Sequence, residues 1–197
     1  MIRTAYIFFV ILFFISLSQF SVAEDNYDFR KATWGMKKEQ VIASDNSKPL
    51  HVGPTNTFDI ALYEGSVAGL KTEYGYTFVD DILVIGGYTF KEKHSNKNKH
   101  IDDFRKLKEI LERKYGKPVK FDSVWSNDLY RNNTENYGLA ISIGHLALST
   151  KWETDRTIIL LILNGDNYDL NLNLFYTSKA HLDLINKTSN KSDEEGL

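Results

Sequence analysis

The residues best suited to acid–base chemistry in this sequence are one histidine and two carboxylates that follow it. His145 lies in an apolar run, and Glu153 and Asp155 come shortly after it. An imidazole can act as a general base because its pKa lies near neutrality, and paired carboxylates can hydrolyse a glycosidic bond. Lys151 and Arg156 would keep both carboxylates ionised, however, which is the wrong state for a general acid. We therefore expect His145 to be a hydrogen-bonded sheet residue, with a hydrolase as the alternative.

Two further histidines stand in front of an acidic pair. His94 and His100 are six residues apart, and Asp102 and Asp103 follow. Imidazole and carboxylate groups together can bind zinc or nickel. His94, however, belongs to the charged segment Lys91–Lys99, whose like charges favour an exposed loop. The sequence therefore predicts a solvated loop and no metal site here.

Aromatic side chains form a more distinctive set and make up 13% of the chain. Trp and Tyr combine a large contact area with a polar tip, and they are enriched where proteins bind one another. We expect Tyr74, Tyr76 and Phe78, which share one face of a predicted strand, to fill the core. The candidate binding residues are Trp125, Tyr130, Trp152, Tyr88 and His145. For the three that border polar loops, Trp125, Tyr130 and Trp152, core filling remains an equal alternative.

The motifs of several common enzyme classes do not occur in this sequence. It has no Gly-x-Ser-x-Gly elbow, no phosphate-binding Gly-x4-Gly-Lys-Ser/Thr loop and no dinucleotide-binding Gly-x-Gly-x-x-Gly. The absence of cysteine excludes thiol catalysis, disulfides and thiolate-bound metal clusters. The net charge of −2 argues against nucleic-acid binding, because that binding depends on Lys and Arg neutralising phosphates. The sequence thus favours a non-catalytic protein without a cofactor.

The first 23 residues have the pattern of an export signal. They contain no acidic residue, Arg3 stands near the start, and the unbroken apolar run Ala5–Ile15 follows. This run is shorter than the roughly 20 apolar residues that a membrane span needs, and Ser21-Val22-Ala23 is a small-x-small cleavage site. We therefore predict a signal peptide over residues 1–23, cleaved after Ala23. The mature chain then has 26 acidic and 23 basic residues, a net charge of −3.

Apolar periodicity along the rest of the chain predicts two helices and seven strands. The helices are predicted over residues 37–44 and 101–115, and the second ends at Gly116, which supplies a left-handed stop. The strands are predicted over residues 57–63, 68–79, 82–90, 119–126, 138–152, 156–163 and 170–176. Residues 181–197 are polar and are predicted to form a disordered tail.

The order helix–βββ–helix–ββββ predicts a single α+β domain over residues 24–180. We expect an antiparallel sheet of about seven strands with helices on one face. The layout recurs in two halves, about 30–95 and 96–180, which suggests a tandem repeat. Thr157–Leu163 is apolar on both faces, whereas an antiparallel strand commonly has one wet face. Helices, the other half or a partner must therefore cover both sides of this strand.

Two short motifs resemble a scaffold known from bacterial envelopes. Trp34-Gly35-Met36, followed by Val41, resembles an opening in which a Gly-Met pair starts a short helix ahead of a β-meander. Tyr115-Gly116-Lys117-Pro118 is similar to the Gly-x-Pro that closes a helix there. This scaffold occurs in the SmpA/OmlA-type (BamE-like) outer-membrane assembly lipoproteins and, in tandem, in the β-lactamase-inhibitor-protein-like fold. The resemblance implies a scaffold for protein contacts and no catalytic residue, although this chain lacks the lipid-bearing cysteine.

These observations predict an exported, non-catalytic binding or assembly module of the bacterial cell envelope. We expect it to contact a protein partner through a sheet face or through its aromatic loops. An exported chain without cysteine must be held together by core packing, which favours the periplasm, with an extracellular location as the alternative. The other functions left open are a periplasmic hydrolase that uses His145 with Glu153 or Asp155, and a carrier that holds a small apolar ligand between helix and sheet.

Overall fold

The fold is known from a computed structural model that describes residues 27–195. The predicted signal peptide, residues 1–23, lies outside the described residues. The helices are α1 (Lys38–Ser44), α2 (Lys99–Tyr115), α3 (Tyr137–Ser142) and α4 (Leu182–Glu195). The strands are β1 (His51–Pro54), β2 (Asp59–Val67), β3 (Leu70–Val79), β4 (Ile82–Phe90), β5 (Lys120–Trp125), β6 (Leu146–Glu153), β7 (Thr157–Asp166) and β8 (Asp169–Ser178). Short 3₁₀ turns precede α3 and α4.

The eight strands form one antiparallel sheet in the order β1-β2-β3-β4-β8-β7-β6-β5. Two four-stranded meanders meet where β4 pairs with β8, from Ile85 opposite Thr177 to Phe90 opposite Leu172. A helix precedes each meander, so the helix-plus-meander layout occurs twice. The predicted α+β class with an antiparallel sheet is confirmed, and the additional strand is β1, a short edge strand that lies in a turn-rich stretch of sequence.

One face of the sheet carries the main core. Tyr74, Tyr76 and Phe78 alternate along β3 and are buried there, as the sequence predicts. Helix α2 packs on the second meander with one apolar stripe, and its buried members Phe104 and Leu107 recur at helical spacing. The two halves of the chain therefore contribute to one continuous core.

A segment that we call the N-terminal strap, residues 28–34, crosses this core face. Phe29 is buried, and its ring centroid lies 5.5 Å from that of Tyr76, 5.1 Å from Tyr88 and 5.3 Å from Tyr176. Gly86 of β4 makes room for it, because a Cβ at that position would overlap the Phe29 ring. The strap thus packs against both meanders at the seam where β4 meets β8.

The strand predicted over residues 138–152 is wrong in its first half. Residues Tyr137–Ser142 form helix α3, and the strand begins only at Leu146. Gly138 lies so close to the backbone of Lys97 that a Cβ there would overlap it. Helix α3 packs against α2 and β7. These tertiary contacts outweigh the strand preference of the apolar residues in the segment.

In place of the disordered tail predicted for residues 181–197, the structure has helix α4. Its Ile185 is buried in a small apolar cluster with Val79 and Val84, separate from the main core. Because side chains alternate along a strand, Val79 points away from the face that carries Phe78. Helix α4 therefore packs on the face opposite to α1, α2 and α3. Few apolar residues of α4 form this contact. The segment is otherwise polar, and its sequence therefore did not predict a packed helix.

Candidate functional site

The outer face of the sheet, opposite the core, presents apolar side chains where an antiparallel sheet commonly presents polar ones. Ile158, Leu160 and Ile162 of β7 point outward and are half-buried, alternating with buried residues of the same strand. Phe175 of β8 pairs with Leu160 and is 37% exposed. We define the outer apolar face as Ile60, Leu62, Ile158, Leu160, Ile162 and Phe175.

A shallow groove crosses this face where Gly75 of β3 and Gly87 of β4 stand opposite each other. Leu62 and Phe175 lean over the two glycines: a Cβ at Gly75 would lie 2.6 Å from Leu62 Cδ2, and one at Gly87 would lie 3.0 Å from Phe175 Cδ1. The groove has a volume of about 130 Å³ and includes Ile60 in its wall. The missing side chains of the glycines thus create an apolar depression within the face.

Among the described residues, helix α4 packs at one end of the outer side of the sheet. Its apolar contacts are with the cluster around Val79 and Val84, and Ile85 borders that cluster. The six residues of the outer apolar face belong neither to this cluster nor to the main core. From the sequence we expect both sides of Thr157–Leu163 to be covered. Among residues 27–195, only the inward side chains of this strand belong to a core cluster.

Two of the five predicted binding residues, Trp152 and Tyr88, lie on the core face of the sheet. Trp152 is 1% exposed, and its Nε1–H donates to the carbonyl oxygen of Gly116 at 3.0 Å. Tyr88 is half-buried, packs against the main core and contacts Phe29. Of the two alternatives that the sequence leaves open for Trp152, the structure therefore shows core filling, because its neighbours cover the ring. The sequence alone could not decide between them, since the strand register determines which face Trp152 occupies.

The other three, Trp125, Tyr130 and His145, meet at one end of the second meander. The rings of Tyr130 and His145 have centroids 6.1 Å apart, and Trp125 meets Tyr137 edge to face at 5.2 Å. Ser126 N–H donates to the His145 carbonyl oxygen at 2.9 Å and ties the loop after β5 to the start of β6. These four half-buried aromatic side chains form what we call the aromatic loop cluster. Trp125, Tyr130 and Tyr137 also pack against the main core, so core filling accounts for part of their burial.

The same geometry separates His145 from the carboxylates of the hydrolase alternative. His145 precedes β6 and Glu153 ends it, so eight residues of extended chain place them about 26 Å apart. Lys151 and Lys179 contact Glu153 at 2.7 and 2.8 Å and lower its pKa to about 2. Asp155 lies further still along the chain. His145 and Glu153 therefore cannot act as base and acid on one substrate.

The expected hydrogen bonding of His145 is incomplete. Its Nδ1 is buried and has no partner among the described residues. Burial without a partner costs free energy, but one such atom without a nearby carboxylate does not make a catalytic group. His145 therefore acts in this structure as a member of the aromatic loop cluster.

The carrier alternative requires an enclosed apolar cavity. A pocket of about 410 Å³ lies beside the N-terminal strap, but it is open and its lining includes Asp28, Lys114 and Arg156. Arg156 donates to Asp28 across it at 2.7 Å. Phe29 and the tyrosines around it occupy the space between strap and sheet. The pocket is thus charged where an apolar ligand would need an apolar wall.

His94, His100 and Asp103 come together at the start of α2. His94 Nε2 lies 2.6 Å from Asp103 Oδ2, and the ring centroids of the two histidines are 4.7 Å apart. Burial and the neighbouring His94 lower the pKa of His100, which favours its neutral form. The sequence predicts a solvated loop at this point, but the structure buries His100 to 8% exposure and gathers three groups that can ligate a metal.

Comparisons of the chain with protein-family models, curated proteins and solved structures give no match. Within residues 27–195 no helix has the length and apolar character needed to cross a bilayer. The similarity to an envelope scaffold therefore rests on the two sequence motifs alone.

Proposed function

We propose that this protein is an exported, non-catalytic binding module of the bacterial cell envelope that binds a protein partner on the outer face of its sheet. The outer apolar face is the observation that carries the proposal. It joins apolar residues of β2, β7 and β8, none of which belongs to either apolar cluster of the fold. Contiguous apolar patches on a protein surface commonly mark interaction sites.

The chemistry of the face favours a protein rather than a small molecule. A strand surface accepts another sheet about 10 Å away or an amphipathic helix, and each Å² of apolar area buried contributes about 25 cal/mol. The groove at Gly75 and Gly87 has room for a single apolar side chain, about 130 Å³. Thr89 and Asn173 stand among the outward positions and can supply hydrogen bonds at the rim.

Export is the part of the proposal that rests on the sequence. The protein recovered from a periplasmic fraction should have the intact mass of residues 24–197, because we predict cleavage after Ala23. A recovered protein that retains residues 1–23 in a membrane fraction would contradict both cleavage and release.

Site-specific crosslinking in the producing cells tests the binding face. A photoreactive amino acid at Leu160 or at Phe175 should capture the same protein, since both positions lie on the outer apolar face. The control position is Tyr168, which is 67% exposed in the turn between β7 and β8 and should capture no such protein.

Two matched substitutions, one on the outer apolar face and one outside it, test the face further. Ile162→Lys should reduce the crosslink from Phe175 at least tenfold, because it places a charge in the interface. Leu129→Lys makes the same change of chemistry at a residue that is 70% exposed in a distant loop, and it should leave the crosslink unchanged. A crosslink that survives Ile162→Lys in a folded protein would rule out this face as the binding surface.

A further inference from the structure

We propose that His94, His100 and Asp103 form a binding site for a zinc ion. One ligand atom from each residue lies within 4.8 Å of the other two. Two imidazoles and one carboxylate are a donor set that zinc accepts, with the fourth position left to water or another ligand. This site shares no residue with the outer apolar face, so neither proposal depends on the other.

The fold holds the three ligands from two sides. His100 and Asp103 lie three residues apart in α2 and therefore share one face of the helix. His94 comes from the loop between β4 and α2. That loop is anchored by Asn98, whose Oδ1 accepts from Gly138 N–H at 2.6 Å, and by Lys97, whose Nζ donates to the Tyr168 carbonyl oxygen at 2.5 Å. Ligands held in this way need little ordering when an ion binds.

The position of His100 brings its ring close to the other two ligands. His100 is 8% exposed, and its ring centroid lies 4.7 Å from that of His94. Both histidines line the same pocket. A ring nitrogen of His100 can therefore reach a cation that lies between the three side chains.

Small side-chain movements would complete the site. Zinc bonds of about 2.0 Å place neighbouring tetrahedral ligand atoms about 3.3 Å apart. His94 Nε2 and Asp103 Oδ2 are now closer, at 2.6 Å, because they are hydrogen-bonded. An incoming ion takes the place of the proton between these two atoms, and the neutral imidazole that ligates the ion through Nε2 carries its one proton on Nδ1.

The space beside the ligands suits an open fourth position. A pocket of about 360 Å³ is lined by both histidines, and Lys91, Lys93 and Lys97 also line it. The lysine charges oppose a bare cation, whereas Asp103 and the nearby Glu92 favour one. A water molecule or a small anion can therefore occupy the fourth position, where the lysines stabilise negative charge.

Zinc titration by calorimetry tests the site in the untagged, full mature protein after treatment with a chelator. We expect saturable binding of one ion per chain and a higher melting temperature in zinc. Asp103→Asn and His94→Ala should each weaken zinc binding at least tenfold. Asp102→Asn, the same change one residue away at an exposed position, should change it less than twofold.

The visible absorption of bound Co²⁺ gives a second measurement, which does not change when a substitution alters only the stability of the fold. Co²⁺ bound to the two histidines and the carboxylate should show visible absorption bands typical of a four-coordinate ion, and His94→Ala should abolish them in a protein whose circular dichroism is unchanged. Absence of saturable zinc binding, or equal weakening by Asp102→Asn and Asp103→Asn, would overturn the proposal.

Discussion

Several polar contacts of the first meander converge on Asp45, whose side chain is 4% exposed. Its carboxylate accepts hydrogen bonds from Tyr74 OH at 3.1 Å, Tyr76 OH at 2.9 Å and Ser47 N–H at 3.0 Å. Arg30 Nε lies 3.5 Å away, and its guanidinium stacks over the Tyr74 ring at 3.7 Å. Burial raises the pKa of the Asp45 carboxyl, but the hydrogen bonds outweigh burial and the pKa lies below its usual value.

This balance predicts a pH-dependent loss of stability in Asp45→Asn. A carboxyl whose pKa is lower in the folded than in the unfolded state stabilises the fold above its unfolded pKa, and that stability is lost as pH falls through the folded pKa. We expect the variant to lose about 1–3 kcal/mol of unfolding free energy at pH 7, and less as the pH falls below about 4. Urea denaturation across this pH range measures the difference.

The control for this experiment is Asp128→Asn. Asp128 has a side chain that is 68% exposed and pairs with Arg131 at the surface. Such a pair contributes little, so stability should change by less than about 0.5 kcal/mol at any pH. A loss in Asp45→Asn that stayed constant down to low pH would mean that the carboxylate charge is not what stabilises this cluster.

At the scale of elements, the N-terminal strap depends on one close approach. Phe29 fits on the sheet because Gly86 has no side chain, and the ring then packs among three tyrosines of the core. A short polar segment is held in this way against a sheet that would otherwise expose Tyr88 and Tyr176. The strap is therefore expected to be a structural part of the fold.

A double-mutant cycle tests this contact. Phe29→Ala should cost about 3–5 kcal/mol because it removes a buried aromatic ring, and Gly86→Ala should cost about 1–3 kcal/mol through overpacking. In the Phe29→Ala background, Gly86→Ala should cost much less, which gives a coupling energy of at least about 1 kcal/mol. Urea denaturation of the four proteins measures it.

Gly65→Ala supplies the matched control for the cycle. A Cβ at Gly65 would approach the Tyr74 ring at 2.9 Å rather than Phe29. Its cost should therefore add to that of Phe29→Ala with little coupling. Additive costs for Gly86→Ala as well would show that Phe29 does not occupy the space above Gly86.

At the scale of the whole molecule, the two meanders form one unit. The pairing of β4 with β8 makes the sheet continuous, and Phe29 contacts Tyr76 of the first meander and Tyr176 of the second. Separation of the halves would break the central strand pair and expose these rings. The tandem layout therefore does not imply two independent domains.

We expect a single unfolding transition for the mature protein. Circular dichroism and tryptophan fluorescence should give the same melting curve, and the calorimetric and van't Hoff enthalpies should agree. A fragment of residues 24–95 should fail to fold, because it leaves the edge of β4 unpaired. Two separate transitions, or a folded fragment, would contradict the cooperative unit.

Several elements were predictable because their signals are local. Helix α2 was predicted over residues 101–115 and spans Lys99–Tyr115, since its apolar stripe and the stop at Gly116 lie within the segment itself. Strand β4 was predicted over 82–90, as observed. The outward apolar residues of β7, which carry the proposed binding face, were visible as a two-sided apolar run. Helix α3 was missed because its packing against α2 and β7, rather than its composition, makes it helical.

By itself, the sequence determined the α+β class and contained the pattern of an export signal. Its lack of cysteine also excluded every chemistry that needs a thiol. Only the tertiary structure decided that β4 pairs with β8, that Trp152 faces the core and that His94 meets His100 and Asp103. The reason is physical. Periodicity reports which residues share a face within one element, whereas strand register and the packing of one element on another depend on contacts between distant parts of the chain.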